Sequence, residues 1–112
     1  MQPEAELFPT PQFIKDIQYL NRLDITIKSD ISAALDILLE TRELPEDFQD
    51  HALTGLLATN REFHVRDTAA GSQPSEINDV LVIYRWRNKR LTLVAIAAGS
   101  PDKLFSNGKG KS

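Results

Sequence analysis

Cysteine is absent from this 112-residue chain. That excludes disulfides, thiolate zinc sites and a cysteine nucleophile. Histidine is nearly as scarce, with His51 and His64 the only two, so neither a metal nor another cofactor is expected. No apolar run is long enough to span a bilayer, and the acidic start Met1-Gln2-Pro3-Glu4-Ala5-Glu6 lacks the basic, then apolar, character of a secretory signal. The expectation is a cytoplasmic protein with no membrane partner.

What is present is enough for one core. With 41% hydrophobic and 26% charged residues, the chain is expected to form a single domain over residues 1–112, with flexible ends at 1–6 and 106–112. Charge is unevenly spread. Residues 1–50 carry 4 Lys/Arg against 11 Asp/Glu, whereas residues 51–112 carry 9 against 5. The two halves therefore suit different partners, and a basic face can hold phosphates even on an acidic protein, because local potential governs docking.

Thr10 and Pro11 open the first periodic segment, one as a cap and the other as a first-turn residue. Phe13, Ile14, Ile17 and Leu20 then recur at helical spacing, with Lys15, Asp16 and Gln18 opposite, to about Arg22. Ser29-Asp30 signals a second helix whose stripe is Ile31, Ala34, Leu35 and Leu38, ending near Thr41. Leu44-Pro45 breaks the pattern, and residues 49–60 read as a loop. From Arg61 the period becomes two, with Phe63 and Val65 on one side and Glu62, His64 and Arg66 on the other. Residues 67–78 read as a connector. Val80 to Trp86 reads as a central strand interrupted on its second face by Arg85, and Tyr84 and Trp86 are assigned to packing. Arg87 to Arg90 supplies a turn into a last strand, Leu91 to Ala97. The fold class is α+β: two N-terminal helices on a mostly antiparallel sheet of about four strands.

Five segments in this order resemble the YafQ-type toxins of the RelE/ParE superfamily. They are Leu44-Pro45, Asp50-His51-Ala52-Leu53-Thr54-Gly55, Arg61-Glu62-Phe63-His64-Val65, Asp79-Val80-Leu81-Val82-Ile83-Tyr84, and Gly99-Ser100-Pro101-Asp102-Lys103-Leu104-Phe105. The resemblance implies a RelE-like fold whose sheet engages mRNA in the ribosomal A site, and a cognate antitoxin as neutralising partner. It also implies a ribosome-dependent endoribonuclease, an mRNA interferase. In that family the histidines matching His51 and His64 are functional, Phe105 matches a terminal aromatic, and an acidic residue aligns with Asp79, with Asp67 the alternative.

The residue types suit that chemistry. Cleavage at a 2′-hydroxyl needs a base for its proton, an acid for the departing 5′-oxygen and cations for the phosphorane charge. A histidine with its ordinary pKa of about 6.5 serves as either base or acid near neutrality. Arg61, Arg66 and Arg85 are candidate phosphate ligands, and Phe105 is a candidate for stacking a base. One position departs from the pattern. Pro101 stands where these toxins usually carry a further catalytic histidine, and proline neither shuttles protons nor donates a hydrogen bond. The expectation is thus a slower nuclease, or a relative that keeps the fold and engages an antitoxin or another target without cleaving RNA.

Overall fold

Thr10 caps the first helix as its sequence predicts. In the computed structural model, which describes residues 4–55 and 59–105, Thr10 Oγ1 accepts from the Phe13 N–H at 3.1 Å. Helix α1 runs Pro11–Leu23 and α2 runs Ile25–Thr41. The second helix begins earlier than Ser29-Asp30. Asp24 Oδ1 accepts from the Thr26 N–H at 2.9 Å, while the Asp24 N–H closes α1 on Leu20 O. One residue thus ends one helix and caps the next, and buried Ile27 extends the apolar stripe by a turn.

The sheet has five strands: β1 (Glu6–Pro9), β2 (His51–Ala52), β3 (Arg61–Arg66), β4 (Val80–Arg87) and β5 (Thr92–Gly99). Their order is β1-β5-β4-β3-β2, antiparallel throughout except for β1 alongside β5. A short helix, α3, follows at Pro101–Phe105. The expected count of about four strands misses β1, where four residues ending in proline give no period to read, and β2 falls inside residues 49–60, expected as a loop, because two residues are too few to show alternation. The expected flexible start is also corrected for Ala5 and Glu6. Ala5 is buried, its N–H donates to Leu39 O at 3.1 Å, and Glu6 opens β1. Met1 to Pro3 and the expected flexible tail 106–112 lie outside the described residues.

Because β1 is half the length of β5, it leaves the far part of the β5 edge without a strand partner. Helix α1 supplies one. Thr10 Oγ1 donates to Ile96 O at 2.8 Å, and Asp16 Oδ2 accepts from the Ala98 N–H at 2.9 Å. Asp16, expected on the polar side of α1, is instead buried, its carboxylate accepting from the Ala98 N–H and from the Gln12 side chain at 2.8 Å, as a buried polar group must.

Both helices cover one face of the sheet. Phe13, Leu20, Ile27, Ile31, Leu35 and Leu38 pack against Phe63, Val80, Val82, Tyr84 and Leu93, and Trp86 packs at the margin of that core. The β4–β5 hairpin turns through Asn88, Lys89 and Arg90, all with left-handed φ.

One irregularity decides where the arginines go. The β3–β4 register shifts between His64 and Arg66, so Arg66 sits opposite Val80 and points to the helix side rather than sharing a face with His64. Its guanidinium donates to Asp30 Oδ2 (2.9 and 3.0 Å), Asp24 Oδ2 (3.1 Å), Thr26 Oγ1 (2.6 Å) and Ile77 O (3.2 Å). The hydrogen bonds from the Thr26 hydroxyl and N–H, and then from Arg66, hold the Asp24 carboxyl at about 2. This folded value lies below that of an unfolded aspartate, so the contribution to stability is complete above about pH 4 and is lost as pH falls through about 2. Asp24→Asn, which keeps a capping side chain, is expected to unfold at lower urea than wild type at pH 6. The gap between their urea midpoints should close as pH approaches 2, and a pH-independent gap would remove the charge from the explanation.

Candidate active site

Two histidines thirteen positions apart meet because of a two-residue strand. After Pro45, a 3-10 turn over Glu46–Phe48 seats Phe48 edge-on against Phe63, with ring centroids 6.1 Å apart. Gln49 then adopts a left-handed φ of 52°, which turns the chain back along β3. In the β2–β3 ladder His51 sits opposite Glu62 and Ala52 opposite Arg61. His64, two residues beyond Glu62, lies on the same face, and the two imidazole centroids are 6.2 Å apart.

Each ring is held from behind. His51 Nδ1 lies 2.6 Å from Gln49 O. A carbonyl only accepts, so Nδ1 carries the hydrogen. His64 Nδ1 lies 2.6 Å from Asp67 Oδ1, and the Gln49 side chain donates to Asp67 Oδ2 at 2.8 Å. Gln49 and Asp67 thus tie the two outer contacts together. Both Nε2 atoms then turn toward Glu62, whose Oε2 is 3.0 Å from His51 Nε2 and 3.9 Å from His64 Nε2. Glu62 is 8% exposed, and its Oε1 is buried without a hydrogen-bond partner among the described residues.

Of the two acidic candidates, Asp67 makes the direct histidine contact. Asp79 is close behind, with ligating atoms of His64, Asp67 and Asp79 all within 4.8 Å of one another. Asp79 also lines an open cleft of about 570 Å³ with Glu76, Pro101 and Lys103. Pro101 is the first residue of α3, so the departure from the family pattern borders the same cleft. Phe105 is half-buried at the end of α3 and makes no ring contact with either histidine among the described residues.

The three arginines separate. Arg61 faces the helix side with Phe63, where its Nε donates to Asp50 Oδ1 at 3.1 Å and to the Tyr84 hydroxyl at 3.3 Å. Tyr84 in turn donates to Asp50 at 2.7–2.8 Å. Burial first, and then Asp50, raise the Tyr84 pKa. Burial alone would lower that of Arg61, but Tyr84 and Asp50 more than offset it. This cluster anchors Asp50, the residue before His51. Arg66 is committed to Asp24 and Asp30. Arg85 points away from the helices, on the face shared by Glu62 and His64, and is exposed with no ion pair or hydrogen bond among the described residues.

Sequence reasoning missed Glu62 and Gln49. Alternation puts Glu62 on the polar side of β3 with His64, which was the available signal for the carboxylate. Nothing in the local pattern marks Gln49, whose role depends on its left-handed backbone.

An antiparallel sheet with a two-helix layer on one face and a parallel first strand at its edge is the fold of RelE/ParE-like toxins. The chain belongs to the YafQ family: a family profile described as "Bacterial toxin of type II toxin-antitoxin system, YafQ" matches residues 5–106. Similar solved structures include YafQ from E. coli (22% identity, 91% of this chain and 99% of that one, TM-score 0.68). The E. coli DinJ–YafQ complex is also similar (20% identity, 91% and 99% covered, TM-score 0.70). So is a copper-bound mutant toxin from Helicobacter pylori (25% identity, 90% and 99% covered, TM-score 0.65). No curated protein matches the chain. Among the described residues, no helix is long and apolar enough to cross a membrane.

Proposed function

We propose that this toxin is a ribosome-dependent mRNA endoribonuclease that arrests translation in the cytoplasm and is neutralised by a cognate antitoxin. The observation that carries the reading is the pair of imidazoles held through Nδ1, with both Nε2 atoms turned to one point. His64, backed by the Asp67 carboxylate, takes the proton of the attacking 2′-hydroxyl at Nε2. His51, whose Nε2 lies 3.0 Å from Glu62 Oε2, returns a proton to the departing 5′-oxygen. With proline at position 101, these two rings cover both tasks. Asp79 supports the His64 side, Arg85 holds the scissile phosphate, and Phe105 stacks a base. The antitoxin reading draws on the E. coli DinJ–YafQ complex.

Primer extension on a defined mRNA in programmed 70S ribosomes, with ribosome-free RNA as control, tests this. Cuts are expected only with ribosomes. Absence of cuts from protein that still binds ribosomes would overturn the nuclease and favour the second reading, a toxin relative that binds without cleaving, for which Pro101 is the supporting observation.

Arg85 gives a sharper expectation than Arg61 or Arg66, because those two are already paired. Arg85→Ala should weaken ribosome binding and lower the slope of log affinity against log salt by about 1. Sedimentation of the variant with ribosomes at several salt concentrations checks it, and an unchanged slope would take Arg85 off the RNA surface.

A further inference from the structure

Phe8 is the one exposed aromatic residue among the described residues, and it lies on the histidine face of the sheet. In the register it sits beside Val94, and Val94 beside Arg85, so all three point away from the helices. Phe8 is 51% exposed, whereas Phe13 and Phe63 are buried in the core. The open part of its ring adds no burial to the fold. Arg87, two residues beyond Arg85 on β4, shares this face and is also exposed. Its Cζ lies 5.4 Å from the Phe8 ring centroid, within cation–π range. Glu6 lies across Thr92 from Arg87 in the register and forms no ion pair with it.

We propose that Phe8 and Arg87 form a second contact for the mRNA strand, Phe8 stacking a base that flanks the cleavage point and Arg87 holding a phosphate beside it. This rests on the mRNA-cleaving function just proposed. Three strand spacings of about 4.8 Å and two residue rises of about 3.3 Å put Phe8 about 16 Å from Glu62, too far to touch the nucleotide held between the histidines. Arg85 lies on the path between them. An exposed aromatic ring interleaved with cations is how proteins follow single-stranded nucleic acid, the ring taking a base and the cations the backbone. Two guanidiniums without an ion pair, at Arg85 and Arg87, suit a polyanion carrying flat rings and not a purely apolar partner. Every base has a π-face, so the contact adds affinity and fixes the strand's position without reading its sequence.

The test measures affinity of the full-length toxin for 70S ribosomes programmed with an mRNA whose A-site codon is 2′-O-methylated, which blocks cleavage. Flanking nucleotides carry 2-aminopurine, a base whose fluorescence is quenched by stacking, and ribosomes without mRNA run in parallel. Phe8→Ala should weaken binding to programmed ribosomes by about 5- to 150-fold, abolish the quenching and leave binding to empty ribosomes unchanged. Phe8→Tyr, which keeps a ring, should retain both affinity and quenching. Arg87→Ala should lower the slope of log affinity against log salt by about 1, and Phe8→Ala should not. Circular dichroism establishes that each variant is folded. Unchanged affinity and quenching in folded Phe8→Ala, or an equal loss on empty ribosomes, would overturn the contact while leaving the nuclease standing. Quenching that depends on Phe8, from a wild type that makes no cuts in unmodified mRNA, would support the contact and overturn the nuclease.

Discussion

His64→Ala is expected to lower ribosome-dependent cleavage by about 10²- to 10⁴-fold, the contribution of a positioned acid or base, and to release cells from growth arrest. The loss should be chemical rather than structural. The His64 ring lies on the open face of the sheet with 21% of its side chain exposed, its polar contacts are to Asp67 and Glu62, and it is not part of the core cluster under the helices. Thermal unfolding of the variant should therefore resemble wild type. If His51 and His64 act as one proton-transfer pair, the double variant should lose little more than either single one, because removing one member already disables the unit. Toxicity equal to wild type in His64→Ala would remove the residue from the mechanism. Additive losses in the double variant would mean that the two rings work separately.

Phe63→Ala is expected to abolish toxicity by the opposite route. Phe63 is fully buried between Phe48 at 6.1 Å and Tyr84 at 5.8 Å. Removing such a ring costs about 3–5 kcal/mol in lost burial and cavity, against a total stability of about 5–15 kcal/mol for a domain. Phe63 also lies between Glu62 and His64 on β3 and seats the turn that delivers His51. Its loss therefore weakens the fold and loosens both histidines together. Urea unfolding should show the midpoint falling sharply in Phe63→Ala and staying nearly constant in His64→Ala. A Phe63→Ala variant within about 1 kcal/mol of wild type would mean that the β2–β3 corner relaxes around the gap.

Much of this molecule follows from local chemistry. The Thr10-Pro11 start, the stripes of Phe13 and Leu20 and of Ile31, Ala34, Leu35 and Leu38, the period of two from Arg61 and the long strand through Val82 and Tyr84 all express spacing that a chain must obey to bury one face. Both histidines were legible as candidates because few residue types transfer protons near neutrality, and there are only two of them. Asp24 was not legible as a cap, because the β-branched run after it does not look like a helix start.

Other features arise only once distant segments meet. The β1–β5 pairing is parallel and between residues more than eighty positions apart, so no local period announces it, and its end at Ala95 is what makes a buried Asp16 useful at Ala98. A single bulge after His64 sends Arg66 to the helices, since one extra residue reverses every later side chain. The pairing of His51 with Glu62 depends on a two-residue strand too short to carry a pattern. The sequence by itself determined the elements, their apolar faces and the residues able to do chemistry. Tertiary structure decided which of those residues share a site, because register, edge pairing and the left-handed turn at Gln49 are settled by the whole sheet.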